Sequence, residues 1–464
     1  MTRRFSALAL LAAMLVPAVL YLPTLGFGFL FDDRPLLIDN PVVQAPAGLT
    51  ELFTSDLDPR SRLSDAPTTN YLRPLFLALA SGLYRLCGDR PAGWHAAALL
   101  LHALLGGLAF LVLRREGLAE PTSLAAALLF SLHPAHVHSA AWISGLQDLL
   151  FAVLVLVAFL AYRASQSRPQ AGAGPLSALG VAYLLALLAK EPAVGLLIFA
   201  LAETACTELL ARRRKTAIPR RTPRAELLTL GVVTSGYFVY RAAVLGTLAH
   251  SFPTAPALPL ALASVPVAIL AYLRDLLWPV GLFLLHPARP VAAVFSAPSA
   301  GAALGVVGVV AALLYGLRRR PNLGLPVLWS LAWLAPVLAL WTLNPEWMVM
   351  DRYLLLPTLG LAWGVALLLP LEGGRSSIDL WRGMVWAGLL IAFAGLSAAG
   401  MQTFASEERF WSTAVRSDPG SSTAWAEWAR LRADAGDLAG AASALERATE
   451  LDPRALLPRH RRAL

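Results

Sequence analysis

Long apolar runs recur along the whole of this 464-residue chain and constrain its fold more than any other feature. Several runs reach about 18 residues, which is enough for a helix to cross roughly 30 Å of hydrocarbon. Only 14% of the residues are charged, whereas soluble domains carry roughly 25%. The runs lack the alternation typical of membrane β strands. The sequence therefore predicts an all-α, polytopic membrane helix bundle with about eleven transmembrane helices.

The basic residues lie in short clusters between the apolar runs. This distribution is typical of the positive-inside rule, so the net charge of +9 does not indicate a nucleic-acid partner. An even number of crossings must separate two inner clusters. The runs 74–88 and 261–285 are therefore predicted not to cross, the first being interfacial and the second re-entrant or interfacial. The inner clusters are Arg3-Arg4, Arg114-Arg115, Arg163, the run Arg212 to Lys215, and Arg318-Arg319-Arg320.

Two domains are expected: a membrane domain at 1–401, with an outer first loop at 31–70, and an outer tail at 402–464. Pro419 and Pro453 in the tail are 34 residues apart, which is the tetratricopeptide period. About three such repeats are usually needed for independent stability. The tail is therefore either a cap docked on the membrane domain or a platform for a polypeptide acceptor or partner protein. The packing positions of the repeat are Trp425, Trp428, Ala429, Gly436, Ala441, Leu445 and Ala448.

Polar residues cluster at what this topology makes the outer ends of the helices. They include Asp32-Asp33, the segment from His133 to His138, Lys190-Glu191 and Asp351-Arg352. A charge at the bilayer centre costs about 2.5–3.5 kcal/mol on insertion scales. Several such groups on one face of the membrane therefore predict a functional site rather than a chance distribution of charged residues.

These motifs, in their order along the chain, resemble the transmembrane and tetratricopeptide-repeat O-mannosyltransferase family of the C-type glycosyltransferase fold. The chain departs from the family pattern at Ala98, where Asn is usual, at His138, where Glu is usual, and at Leu146, where Arg is usual. The matching motifs are Phe31-Asp32-Asp33, Ile38-Asp39-Asn40-Pro41, Arg73-Pro74-Leu75, Gly93-Trp94-His95, His102, Leu132-His133-Pro134-Ala135-His136-Val137, Ala141-Trp142-Ile143-Ser144-Gly145, Asp148-Leu149-Leu150, Lys190-Glu191, Tyr240-Arg241, Leu276-Leu277-Trp278-Pro279 and Asp351-Arg352-Tyr353.

The resemblance implies a polyprenyl-phosphate-linked sugar donor, a mannose-like sugar and a protein or glycan hydroxyl acceptor. Such a transfer needs a base for the acceptor proton and cations for the leaving phosphate. The adjacent carboxylates Asp32 and Asp33 are the candidate catalytic residues. The resemblance favours Asp32 as the base, with Asp33 orienting or coordinating. The alternative is a solvated pair that helps to end the first helix.

Four cations are candidate ligands of the donor phosphate, because Arg suits bidentate phosphate contact and Lys acts as a point charge. In the alternative, Lys190 pairs with Glu191, Arg352 pairs with Asp351, and the other two reach lipid headgroups. The candidate ligands are Arg73, Lys190, Arg241 and Arg352, and the supporting residues are His133, His136, Glu191 and Asp351.

No cofactor or metal is predicted, although two clusters could hold a cation. His133, His136 and His138 have a spacing that could suit a transition metal, and Asp32-Asp33 could bind a divalent ion. Two other functions stay open: a transporter or flippase of lipid-linked sugars, and a catalytically lapsed membrane scaffold. The expected location is a bacterial inner membrane, with the site and the C-terminus in the periplasm.

Overall fold

The structure is a computed structural model that describes residues 2–57, 71–167, 174–214, 223–248, 255–284, 286–371 and 376–452. Every regular element in these ranges is a helix, so the prediction of an all-α fold is confirmed. Nine of the described helical segments are long and apolar enough to cross a membrane. The protein is therefore an integral, multi-pass membrane protein. Part of the first loop, 58–70, and Pro453 of the repeat lie outside the described residues.

Short α-helices and connecting 3-10 turns separate the long helices. The α-helices are α1 Thr2–Tyr21, α2 Pro41–Gln44, α3 Leu49–Thr54, α4 Pro74–Cys87, α5 Pro91–Arg115, α6 Glu120–Ser131, α7 Val137–Ala141, α8 Leu146–Ser167, α9 Gly174–Ala189, α10 Gly195–Arg214, α11 Arg224–Leu245, α12 Leu258–Leu277, α13 Ala297–Arg319, α14 Gly324–Leu334, α15 Pro357–Leu368, α16 Ser377–Met401, α17 Glu407–Ser417, α18 Ser422–Asp434 and α19 Leu438–Leu451.

Helices α5 and α8 form the centre of the bundle. Gly106 and Gly107 let α1 approach α5 closely, because a Cβ on Gly106 would lie 2.4 Å from the carbonyl oxygen of Ala13. A Cβ on Gly107 would lie 2.8 Å from the side chain of Met14. Such small residues at helix contacts are how membrane helices pack without a hydrophobic driving force. This contact fixes the end of α1, and with it the start of the first loop.

The run 261–285 is not re-entrant in the structure, because most of it belongs to α12, one unbroken helix of 20 residues. By length and composition it could cross a membrane. Its buried residues Ala268 and Tyr272 belong to one core cluster with Val337 and Leu340, between α14 and α15. Tyr272 also donates a hydrogen bond to the carbonyl of Met348, at 3.4 Å. The expectation that this run does not cross the membrane stays a prediction.

The tail consists of α17, α18 and α19 and packs on the membrane domain. Trp411 lies edge-on to Phe31 of the first loop, with ring centroids 5.1 Å apart. Arg289 pairs with the buried carboxylate of Asp418. Glu346 accepts hydrogen bonds from the serines that begin α18. The described part of the tail is thus docked, and its assignment as a tetratricopeptide repeat stays a prediction.

Candidate functional site

The four predicted phosphate ligands come together because each lies close to the end of a helix. Arg73 precedes α4, Lys190 separates α9 from α10, Arg241 lies about one turn before the end of α11, and Arg352 follows α14 in the 3-10 turn Asp351–Leu354. The break at Lys190 follows from sequence, because Pro192 has no N–H with which to continue α9. Lys190 is accordingly extended, at φ −163° and ψ 135°.

One carboxylate, Glu191, is shared by two of these guanidinium groups. Arg73 Nη2 lies 3.0 Å from Glu191 Oε2, and Arg241 Nη1 lies 3.1 Å from Glu191 Oε1. Lys190 pairs instead with Asp148, in the first turn of α8. The predicted alternative of a Lys190–Glu191 pair is therefore wrong. Removing the carboxylate would leave two guanidiniums facing each other at a buried position.

Arg352 has no carboxylate within 4 Å in the described part of the chain, and its Nε has no hydrogen-bond partner there. Its guanidinium lies 5.6 Å from the ring centroid of Tyr353, as does Lys190 Nζ. Both side chains line a small cavity that also includes Asp148. Arg352 is the cation of the cluster most available to an incoming anion.

The cluster of six side chains carries a net positive charge. The four cations carry four positive charges and the two carboxylates carry two negative ones, which leaves a net charge of +2. An anion entering the cluster would be attracted by the net positive charge of these six side chains. The six side chains are those of Arg73, Asp148, Lys190, Glu191, Arg241 and Arg352, and they are called the cation cluster below.

The two catalytic candidates differ in their surroundings. Asp33 is fully buried and accepts hydrogen bonds from the N–H of Leu30 at 2.8 Å, and from the N–H and Oγ of Ser144 at 2.8 and 2.6 Å. Burial raises the pKa of Asp33, and these donors oppose the shift only in part. Asp32 is only partly buried. The geometry therefore makes Asp33 an anchor of the first loop, with both oxygens occupied.

The three histidines from 133 to 138 do not converge on a common point. His133 Nδ1 accepts from the N–H of Ala135 and its Nε2 bonds the carbonyl of Leu276 at 3.2 Å. His136 Nε2 lies 2.9 Å from Thr358 Oγ1. His133 and His136 are thus structural partners of other segments. His138 points elsewhere and is described below.

Asp351 does not pair with Arg352, so that predicted alternative is also wrong. His286 Nε2 donates to Asp351 Oδ1 at 2.7 Å, and His286 Nδ1 lies 3.6 Å from Asp275 Oδ2. Burial lowers the pKa of His286, but the two carboxylates outweigh it and the net shift is upward. A protonated imidazole between two carboxylates accounts for this geometry. The same three side chains offer ligand atoms within 4.8 Å of one another and could hold a metal ion.

Sequence reasoning missed His286, Asp275 and Asp148 as members of the site. Asp148 belongs to the motif Asp148-Leu149-Leu150, and it lies in the first turn of α8, which begins at Leu146. His286 has no motif around it, and its partner Asp351 is 65 residues away. A single buried histidine in a loop gives no pattern by which it could be found.

A cavity of about 220 Å³ adjoins the cation cluster. His138 lines it, is 2% exposed, and finds no hydrogen-bond partner for either ring nitrogen among the described residues. Its ring stacks on Trp142, with centroids 5.2 Å apart. Burial, and after it the charges of Arg352 and Lys190, lower the pKa of His138 well below its usual value, so the ring is neutral.

Comparisons with known proteins agree with this organisation. The chain is 35% identical over 176 residues to the protein O-mannosyl-transferase Tmtc1 of Drosophila melanogaster, covering 38% of this chain and 20% of the relative. It is 36% identical over 148 residues to human TMTC4, covering 29% and 20%, and 32% identical over 151 residues to mouse TMTC3, covering 32% and 16%. Over these parts of its length the chain is similar to protein O-mannosyl-transferases. The predicted resemblance is confirmed.

The match spans a fifth or less of the length of these three curated relatives. The chain matches no protein-family profile. Among solved structures it is similar to the crystal structure of ArnT from Cupriavidus metallidurans bound to undecaprenyl phosphate. That likeness has a TM-score of 0.44 at 14% identity and covers 93% of this chain and 80% of ArnT. A similarity at this level carries no residue-to-residue correspondence.

Proposed function

We propose that this protein is a membrane glycosyltransferase that moves a mannose-like sugar from a polyprenyl-phosphate donor to a hydroxyl group of a protein or glycan acceptor. The observation that carries the proposal is the cation cluster, with its net charge of +2. Its cations lie close to helix ends. Hydrogen bonds through Gln147 and Ser144 connect Arg73 to Asp33, the neighbour of Asp32. The relatedness to protein O-mannosyl-transferases supports the same activity.

In the proposed reaction the acceptor oxygen attacks the anomeric carbon from the face opposite the phosphate. The bond between the anomeric carbon and the phosphate oxygen breaks, and its electron pair stays on the phosphate. Asp32 takes the proton of the acceptor hydroxyl. The cations, above all Arg352, stabilise the charge that grows on the leaving phosphate. This scheme inverts the anomeric centre and needs no metal ion.

The proposed setting is the outer face of a bacterial inner membrane, with the site open to the periplasm. The docked tail lies beside the first loop, through the contact of Trp411 with Phe31. A polypeptide acceptor or a partner protein would approach the site along this tail.

The test uses the purified full-length protein, a synthetic polyprenyl-phosphate mannose and a peptide that contains Ser and Thr. Wild type is expected to transfer mannose, and Asp32→Asn to lose about 10²–10⁴-fold in rate while still binding the donor lipid. Full activity of Asp32→Asn would refute the base assignment. If wild type binds the donor but transfers no sugar, the proposed enzymatic activity is refuted and a carrier of lipid-linked sugars is favoured.

A further inference from the structure

The cavity beside the cation cluster is small and only partly apolar. Its volume of about 220 Å³ lies below the roughly 300–1,000 Å³ of sites for drug-sized ligands. Phe283 and Phe404 form apolar walls, and Thr413 and Ser417 of α17 close one side. The space therefore suits a single small ring better than a stretch of polypeptide.

The polar groups of this cavity are few, and His138 has no hydrogen-bond partner among the described residues. His138 presents two buried ring nitrogens that no group of the described chain satisfies. Buried polar atoms are nearly always hydrogen-bonded, so an unpaired imidazole facing a cavity points to a ligand. Asp351 lines the same cavity and can accept hydrogen bonds from hydroxyl groups.

The cavity and the cation cluster share a border. Asp351 lines the cavity, and the next residue, Arg352, is the cation of the cluster for which the described residues supply no carboxylate. His138 lies close enough to Arg352 and Lys190 for their charges to act on it. A ligand whose phosphate binds Arg352 would therefore carry the group attached to that phosphate toward His138.

From this arrangement we infer that the cavity is the subsite for the sugar ring of the donor, with His138 and Asp351 bonding its hydroxyls and Phe283 and Phe404 covering its apolar face. The inference rests on the proposed function. A neutral imidazole suits this task, since one of its nitrogens donates and the other accepts a hydrogen bond.

The experiment compares the binding of two lipids to the purified full chain: polyprenyl-phosphate mannose and sugar-free polyprenyl phosphate. His138→Phe keeps a ring on Trp142 but removes both nitrogens. It is expected to weaken binding of the mannosyl lipid about three- to tenfold, the worth of one hydrogen bond, and to leave the sugar-free lipid unaffected. Thr413→Leu fills the cavity from the tail without disturbing a buried contact, and should act in the same selective way.

His95→Phe is the matched control, because His95 is also a buried histidine but does not line the cavity. It should not change the ratio of the two affinities. An equal loss for both lipids in His138→Phe and Thr413→Leu would overturn the inference, as would no loss for either. A raised KM for the acceptor with unchanged donor binding would make the cavity an acceptor site instead. If wild type binds neither lipid, the proposed function itself fails.

Discussion

The anchoring role of Asp33 makes a quantitative prediction, because its neighbour Asp32 offers a matched control. In Asp33→Asn the amide oxygen can keep the position of Oδ1, which accepts two hydrogen bonds from Ser144. The amide nitrogen then replaces Oδ2 and faces the N–H of Leu30, which loses its side-chain acceptor. One charge-assisted hydrogen bond is thus lost, and the two that remain become neutral.

Hydrogen bonds to charged groups contribute about 1.5–3 kcal/mol, and neutral ones about 0.5–1.5 kcal/mol. The unpaired N–H of Leu30 adds a cost, offset in part because burial disfavours the charged carboxylate in the native state. The net destabilisation of Asp33→Asn is therefore expected to be about 2–3 kcal/mol. Asp32 is partly exposed, so Asp32→Asn should stay within about 0.5 kcal/mol of wild type. Ser144→Ala removes only the hydroxyl donor and should cost about 1 kcal/mol.

Unfolding in mixed micelles with increasing SDS, followed by tryptophan fluorescence, measures the three free energies. The informative quantity is the difference between the two Asp variants, since both remove the same charge. Equal stability of Asp33→Asn and Asp32→Asn would refute the anchor assignment. A stable but inactive Asp33→Asn beside an active Asp32→Asn would reverse the roles within the pair.

Three further predictions concern other parts of the site. Arg352→Ala should weaken donor binding by about 10- to 150-fold, the equivalent of about 1.5–3 kcal/mol, and Arg352→Lys should recover part of this loss. Lipid-binding titration measures the affinities, and equal affinities of wild type and Arg352→Ala would contradict the role of Arg352. Since the pKa of His286 is raised by Asp351 and Asp275, its stabilisation is fully present below about pH 6.5 and is lost as the pH rises through the raised value. His286→Gln should flatten that pH dependence of the unfolding midpoint, and an unchanged profile would exclude His286 as its source. Glu346→Gln weakens the hydrogen bonds to the start of α18, so limited proteolysis should release the tail faster than in wild type. Identical cleavage rates would show that the docking does not depend on this carboxylate.

The sequence was sufficient for the fold class, because apolar runs in lipid leave few alternatives to helices. It also pointed to four cations that the structure brings together, and their role as phosphate ligands stays a prediction. It did not identify their partners. The alternative interpretation paired Lys190 with its neighbour Glu191, but Glu191 pairs with Arg73, which is 118 residues away.

Local pairing failed for a geometric reason. Adjacent side chains in an extended segment point in opposite directions, and Lys190 is extended, so Lys190 and Glu191 face different helices. The adjacent pair Asp351–Arg352 failed as well. Asp351 pairs instead with His286, and that contact depends on how the loop after α12 folds back. For α12, the charges and prolines near its end suggested a re-entrant segment, whereas the structure has one unbroken apolar helix that packs against the 335–354 segment.

The charge balance of the cation cluster has a consequence for turnover. A donor phosphodiester carries one negative charge, whereas the phosphomonoester left after transfer carries about 1.5–2 at pH 7. With a net charge of +2, the cluster matches the spent carrier better than the loaded one. On the proposed function, we therefore expect the spent lipid to leave the cluster more slowly than the loaded lipid would.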